Sequence, residues 1–212
     1  MLKKYFQLKP TLILVVIILI ELAFNLLIQR YAADGKILYN SLAEELTIEQ
    51  IDAVAKIAQS YAWTNWLWAP VFILLQVLLI TVCINVGTLL LRYEVKFKEI
   101  FNVVVKAYSI FAISRLVLMI GYLNTGVENL NDLNYLPQLS LYELMNEQMV
   151  PEWAVFPLQL VNVFQIIFIL LLAFGLNLLQ QRGMRRWVPL VLGTYGTGVA
   201  ICTILVIFLV FL

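Results

Sequence analysis

Five long apolar runs divide this chain, and the Lys and Arg residues that flank them fall on alternate sides. The runs cover about Thr11 to Ile28, Trp66 to Leu91, Phe101 to Leu123, Ala154 to Leu179 and Trp187 to Leu212. A bilayer core of about 30 Å takes roughly 20 helical residues at about 1.5 Å rise each, so every run predicts a membrane-spanning helix. A soluble globule has no interior large enough for such a chain: 63% of its 212 residues are hydrophobic and only 13% charged. The expected fold is therefore all-α, a polytopic integral membrane protein whose five helices form one domain over residues 1–212. Two longer segments, about 29–65 and 124–153, connect the spans on one side. The first run is also similar to a signal sequence, but Glu21 interrupts it and no A-x-A cleavage site follows, so it is read as a retained helix.

Orientation follows from the basic residues, which are held on the cytoplasmic side of a membrane. Lys3, Lys4 and Lys9 precede the first run, Arg92, Lys96 and Lys98 separate the second from the third, and Arg182, Arg185 and Arg186 separate the fourth from the fifth. The segment between the third and fourth runs carries Glu128, Asp132, Glu143, Glu147 and Glu152 with no Lys or Arg. The segment after the first run is acidic on balance despite Arg30, Lys36 and Lys56. The expected topology puts the amino terminus in the cytoplasm and the carboxyl terminus outside.

Both outer segments carry helix signals. Ile48, Ile51, Val54, Ala58 and Tyr61 fall at helical spacing behind a Thr47–Gln50 capping box, which predicts an amphipathic helix on the outer membrane surface. Trp63, Trp66 and Trp68 then cluster where the second span begins, as interfacial aromatics do. Ser140 with Glu143 predicts a second short helix, running to about Met149 before Pro151. These helices are either connectors tethered to the headgroups or a lid over the bundle.

Two charges stand out inside the runs. Glu21 lies about 15 Å and Arg115 about 21 Å from the cytoplasmic edge at about 1.5 Å per residue. A charge at the centre of a span costs roughly 2.5–3.5 kcal/mol on insertion scales, so such residues face protein or water and find partners. Gln76 and Gln165 fall near the same depth, with Asn25 and Asn162 somewhat nearer the outside. Glu21, Asn25 and Gln29 repeat every four residues, and Gln159, Asn162 and Gln165 every three, so each set is expected on one helix face. Two readings fit: a buried ion pair and amide network that fixes helix register, or a polar path or partner contact. In the fifth run Gly193 with Thr197, and Thr194 with Gly198, are four apart, a small-residue spacing that lets helix backbones approach closely. It serves packing within the chain or an interface with a partner.

Catalysis finds little footing. The chain has no histidine, which removes the usual Ser-His and HExxH machinery and the commonest metal ligand. Asp34, Asp52 and Asp132 all lie in the outer segments, and the adjacent Glu44 and Glu45 lack the histidines that accompany a glutamate pair in CAAX-type membrane proteases. Cys83 and Cys202 sit in different runs at expected different depths, with no CxxC spacing, so they are read as small apolar residues. No basic stripe of the kind that binds nucleic acid is present, and no cofactor is expected.

The third span and the turn before it read KFKEIFNVVVKAYS, with Phe97, Phe101, Ala107, Tyr108 and Ser109, and the fourth reads NVFQIIFILLLAFGL, with Phe164, Gly175 and Leu176. Together these stretches resemble the Yip1 family over about Gly87 to Leu212. Ile110 and Phe111 stand where members often have a proline, and only about ten residues precede the first span. The resemblance implies five spans, a cytoplasmic amino terminus and a carboxyl end on the far side; with so short a terminus it implies a bacterial-type member in the cytoplasmic (inner) membrane. It further implies a non-enzymatic accessory or regulatory subunit of a transport, export or trafficking assembly, working through a membrane-protein partner or a homo-oligomer. The alternative is a small transporter or channel that uses the polar layer of Glu21, Gln76, Arg115 and Gln165.

Overall fold

In the computed structural model, residues 2–32, 34–43, 46–130, 139–145 and 150–211 are described. The elements are helices α1 (Leu2–Tyr5), α2 (Pro10–Ala32), α3 (Gly35–Leu42), α4 (Ile48–Ser60), α5 (Ala62–Leu90) and α6 (Phe97–Thr125), a 3₁₀ turn at Tyr142–Leu144, then α7 (Glu152–Leu160), α8 (Val163–Leu179), α9 (Met184–Val191), a π-helical turn at Leu192–Gly196 and α10 (Thr197–Phe211). The protein is all-α. Among the described residues the one departure is an isolated antiparallel bridge between Ser140 and Asn162.

Four helical stretches are long and apolar enough to cross a membrane: Pro10–Tyr31, Trp66–Leu90, Phe97–Asn124 and Met184–Leu209. Each agrees with a predicted run, because about 20 consecutive apolar residues leave the backbone no low-cost alternative to helix in lipid. The predicted fourth span, Ala154 to Leu179, is broken. Its chain leaves helix at Val161 and Asn162, so α7 and the 17-residue α8 stand where one 26-residue helix was expected. Pro157 inside α7 cannot donate a helical hydrogen bond. Asn162, in extended conformation, offers its side-chain oxygen to the Gln165 N–H at 2.8 Å and so opens a new helix. The freed backbone groups are satisfied from outside the span: Leu141 N–H donates to Val161 O (2.9 Å) and Val163 N–H to Leu139 O (3.2 Å). Non-helical backbone inside a membrane protein survives only with such partners. Leu139 takes φ +53° to make this approach, a left-handed conformation uncommon for a leucine.

The segment 29–65 holds the expected helix and, before it, α3, which the sequence did not signal. The Thr47 capping box is formed, with Gln50 N–H donating to Thr47 Oγ1 (3.4 Å) and Thr47 N–H to Gln50 Oε1 (2.9 Å). On α4, Ile51 is buried while Ile48 and Val54 are exposed, as is Tyr61 at its end. Ser140 does meet Glu143, Oγ to Oε1 at 3.1 Å, but the pair opens a single 3₁₀ turn. The rest of that predicted helix, 146–149, lies outside the described residues, as do Glu44, Glu45 and Asp132.

The chain forms two compact units, and their boundaries fall inside α2, α5 and α6. One unit comprises Met1–Val15, Leu74–Phe111 and Gln138–Leu212, the other Val16–Ile73 and Ala112–Pro137. The first has a core of Val77, Ile84, Ile100, Val104, Phe168, Leu172, Leu176, Trp187 and Val191, all fully buried. Thr81 and Thr88 share this core because their hydroxyls donate to Val77 O (2.6 Å) and Asn85 O (2.8 Å) on their own helix. In this unit α9 packs on α8. The second unit centres on Phe24, Leu118 and Tyr122, bordered by Leu27, Ile28, Tyr31 and Met119.

Candidate functional site

The polar groups of the spans meet in pairs, one in the second unit and two in the first. In the second unit, Arg115 Nε donates to Glu21 Oε2 at 3.3 Å, so the two embedded charges do meet. The guanidinium carbon also lies 4.8 Å from the centroid of the Phe24 ring, a cation–π contact that holds the arginine over an aromatic face. The pair is not sealed: the Arg115 side chain is 41% and the Glu21 side chain 23% exposed.

In the first unit each predicted glutamine meets a tyrosine. Tyr108 OH donates to Gln76 Oε1. Gln165 Nε2 donates to Tyr195 OH at 2.5 Å. An aromatic row joins the two pairs: Tyr108 packs on Phe111, Phe111 on Phe168 and Phe168 on Tyr195, with ring centroids 5.1, 5.0 and 5.2 Å apart. Tyr195 reaches Gln165 from the π-helical turn, whose wider loop changes the register of the last span. Small residues favour that turn, and the hydroxyls of Thr194 and Thr197 donate back to Leu190 O (2.8 Å) and Gly193 O (2.5 Å).

Asn162 and Asn25 do not join these pairs. Asn162 is the N-cap of α8, so Gln159, Asn162 and Gln165 straddle a helix break and do not form the expected stripe. Asn25 lies one turn beyond Glu21 on α2, half-buried, and no hydrogen-bond partner stands beside its amide among the described residues.

The small-residue positions of the last span divide between two faces. A Cβ on Gly87 of α5 would collide with Thr194 Cγ2, and one on Gly198 would stand 3.0 Å from Cys83 Sγ. Thr194 and Gly198 thus serve close packing against α5. Gly193 has nothing within 4 Å of an added Cβ, and Thr197 is exposed, so these two face outward. Cys83 beside Gly198 also brings the two cysteines nearer in depth than their runs suggest, since Cys202 lies one turn further along α10. Both are free thiols.

A further polar cluster was not foreseen. Lys106 is buried in α6 and its Nζ donates to Phe6 O at 2.6 Å. Tyr5 OH donates to Ser109 Oγ at 2.7 Å and reaches Lys106 O at 3.0 Å. The Phe6 ring lies over Gly175, where a Cβ would strike it, and edge-on to Phe174 at 5.9 Å. Burial pushes the Tyr5 phenol above its ordinary range, and the Ser109 hydrogen bond partly opposes this, so Tyr5 stays protonated at neutral pH. The signal was present in the sequence as a lysine five residues into the third run. Its partner is a backbone carbonyl, which no side-chain pattern reveals.

Among the described residues no group of three or more Cys, Asp or Glu side chains is placed to hold a metal ion. The four long apolar helices are the build of an integral membrane protein. The chain matches no protein-family model, no curated protein and no solved structure.

Proposed function

We propose that the chain is a non-enzymatic integral membrane protein of Yip1 type that acts by helix contact with other membrane proteins, as an accessory or regulatory subunit of a transport, export or trafficking assembly. In this reading it spans the bacterial cytoplasmic membrane five times, amino terminus inside and carboxyl terminus outside. The fourth crossing is α8, about 26 Å of helix at 1.5 Å per residue, with α7 and the exposed Trp153 at the outer interface and α4 lying on the outer surface. The observation that carries the contact reading is the pairing itself. Gln76 meets Tyr108 and Gln165 meets Tyr195 within the chain, as polar groups used for packing do. The outward Gly193 and Thr197 supply a surface for close helix approach. Isolation of the tagged chain from native membranes in a gentle detergent, with mass spectrometry of what accompanies it, tests this. Stoichiometric recovery of membrane-protein partners, or of a second copy by a differently tagged chain, is expected, and recovery of a monomer with nothing else overturns it.

Transport along the polar groups is the second reading, favoured by the half-open Glu21–Arg115 pair. It requires that water reach Glu21, which thiol labelling of a Glu21→Cys variant from either side of the membrane measures.

A further inference from the structure

The Glu21–Arg115 pair sits at an opening in the wall of its unit. On α6, Ala112, Leu118 and Tyr122 are buried on either side of Arg115, yet the arginine side chain between them is 41% exposed. Glu21 occupies the middle of the 23-residue α2, so the opening lies deep in the apolar zone. One of the five guanidinium donors is used on Glu21, and among the described residues the others have no acceptor. The Asn25 amide, one turn along α2, is equally without a partner among them. Donors and acceptors left open at that depth call for something polar to close them. α2 has surface to spare, since along its described side chains only Ile13, Ile17 and Phe24 are buried.

Charge balance identifies the occupant. Glu21 and Arg115 cancel, so a partner helix bringing a lone carboxylate or a lone cation would leave an uncompensated charge in lipid. A second copy of this chain brings its own neutral pair. Two-fold symmetry then sets Arg115 of each copy beside Glu21 of the other, alternating the four charges, and places the two Asn25 amides where they bond to each other. We propose that this opening is a self-complementary dimer interface, with Glu21, Asn25 and Arg115 of two copies closing each other's polar groups. The proposal rests on the contact reading above and adds to it a second contact surface, with a second copy as its partner.

The experiment uses the full chain in native membranes, expressed with two different tags. Glu21→Arg chains carry two arginines at the pair and Arg115→Glu chains two glutamates, so each variant repels itself across the interface. Wild-type copies are expected to co-isolate, each variant to lose co-isolation with itself, and the mixture of the two variants to regain it, because every contact between unlike chains is then opposite in charge. A pair acting only within one chain is broken in both variants, and mixing cannot restore it. That outcome overturns the proposal. Where charge reversal prevents folding, Asn25→Cys in a Cys83→Ser, Cys202→Ser background keeps the test open. A bismaleimide should give a product of twice the 24.3 kDa chain mass, while Leu205→Cys on α10 should not. An Asn25→Cys chain that stays monomeric and is labelled by a membrane-impermeant thiol reagent overturns the dimer in favour of a water-filled path. Recovery of other membrane proteins without a second copy overturns the dimer alone, and recovery of a monomer with nothing else overturns the contact reading as well.

Discussion

Replacing Asn162 separates the broken fourth span from a continuous one by sign as well as size. In the structure its side-chain oxygen caps α8 through the Gln165 N–H at 2.8 Å, and its amide donates to Gln159 O at 3.1 Å. Asn162→Ala and Asn162→Leu both remove the cap, at a cost of about 1 kcal/mol and up to ~2, or roughly a five- to thirty-fold fall in the folded-to-unfolded ratio, and lose the bond to Gln159 O, about 0.5–1.5 kcal/mol, besides. Asn162→Asp keeps the acceptor and gains about 0.3–1 kcal/mol from a negative charge at a helix N-terminus. It loses the bond to Gln159 O, about 0.5–1.5 kcal/mol, so the net change is within about 1 kcal/mol. A continuous helix from Ala154 to Leu179 reverses this order: leucine is then favoured in the span, whereas an aspartate there costs roughly 2.5–3.5 kcal/mol. Unfolding the purified variants with SDS in mixed micelles, followed by far-ultraviolet circular dichroism, measures the order directly. Wild type and Asn162→Asp should unfold together, ahead of neither Ala nor Leu. An Asn162→Leu protein at least as stable as wild type beside a destabilised Asp variant would refute the break.

The other expectations use the same titration or simpler assays. A Gln165→Leu, Tyr195→Phe double-mutant cycle should show a coupling of about 0.6 kcal/mol, at most ~1.7, as for other hydrogen bonds in membranes; additive losses would mean that the pair is incidental. Gly87→Ala should cost about 1–3 kcal/mol because the methyl group meets Thr194, whereas Gly193→Ala, with open space around it, should be neutral or slightly stabilising. Phe6→Ala removes about half of a phenylalanine's burial, some 100 Å² and so ~2.5 kcal/mol at about 25 cal/mol per Å², and should make the first eight residues sensitive to protease; unchanged resistance would show that Lys106 and Tyr5 hold the segment unaided. A reporter enzyme fused after Leu212 should be active only outside the cytoplasm, and a cytoplasmic signal there would invert the proposed topology.

Four of the spans were legible because their signal is a length. Twenty or so apolar residues can only be helix in lipid, and no distant residue is needed to decide it. The fourth run carried that same signal yet broke, since its interruption depends on residues far away in sequence. Pro157 alone is tolerated in a membrane helix, and Asn162 alone reads as an inward polar residue. Only the arrival of Leu139 to Leu141 beside Val161 to Val163 satisfies the backbone and makes the break stable. The Ser140–Glu143 motif was visible, but its part in delivering that segment was not. Lys106 was hidden for a related reason, since it is held by the carbonyl of Phe6, a hundred residues away.

The partners of the two glutamines were not legible because polar side chains were matched only with one another. Tyr108 and Tyr195 count as apolar in composition and pass unnoticed in a hydrophobic run, yet each places a hydroxyl within reach of a glutamine. A glutamine in a span needs one good partner, and a tyrosine provides it while burying its ring among Phe111 and Phe168. An ion pair has a heavier requirement. Arg115 carries more donors than Glu21 can accept, and no aromatic hydroxyl supplies the charge balance that a guanidinium needs in lipid. The glutamines can therefore be closed by folding, while the arginine is left with donors to share, and that difference in hydrogen-bonding capacity makes Glu21 and Arg115 the place where a second chain is expected.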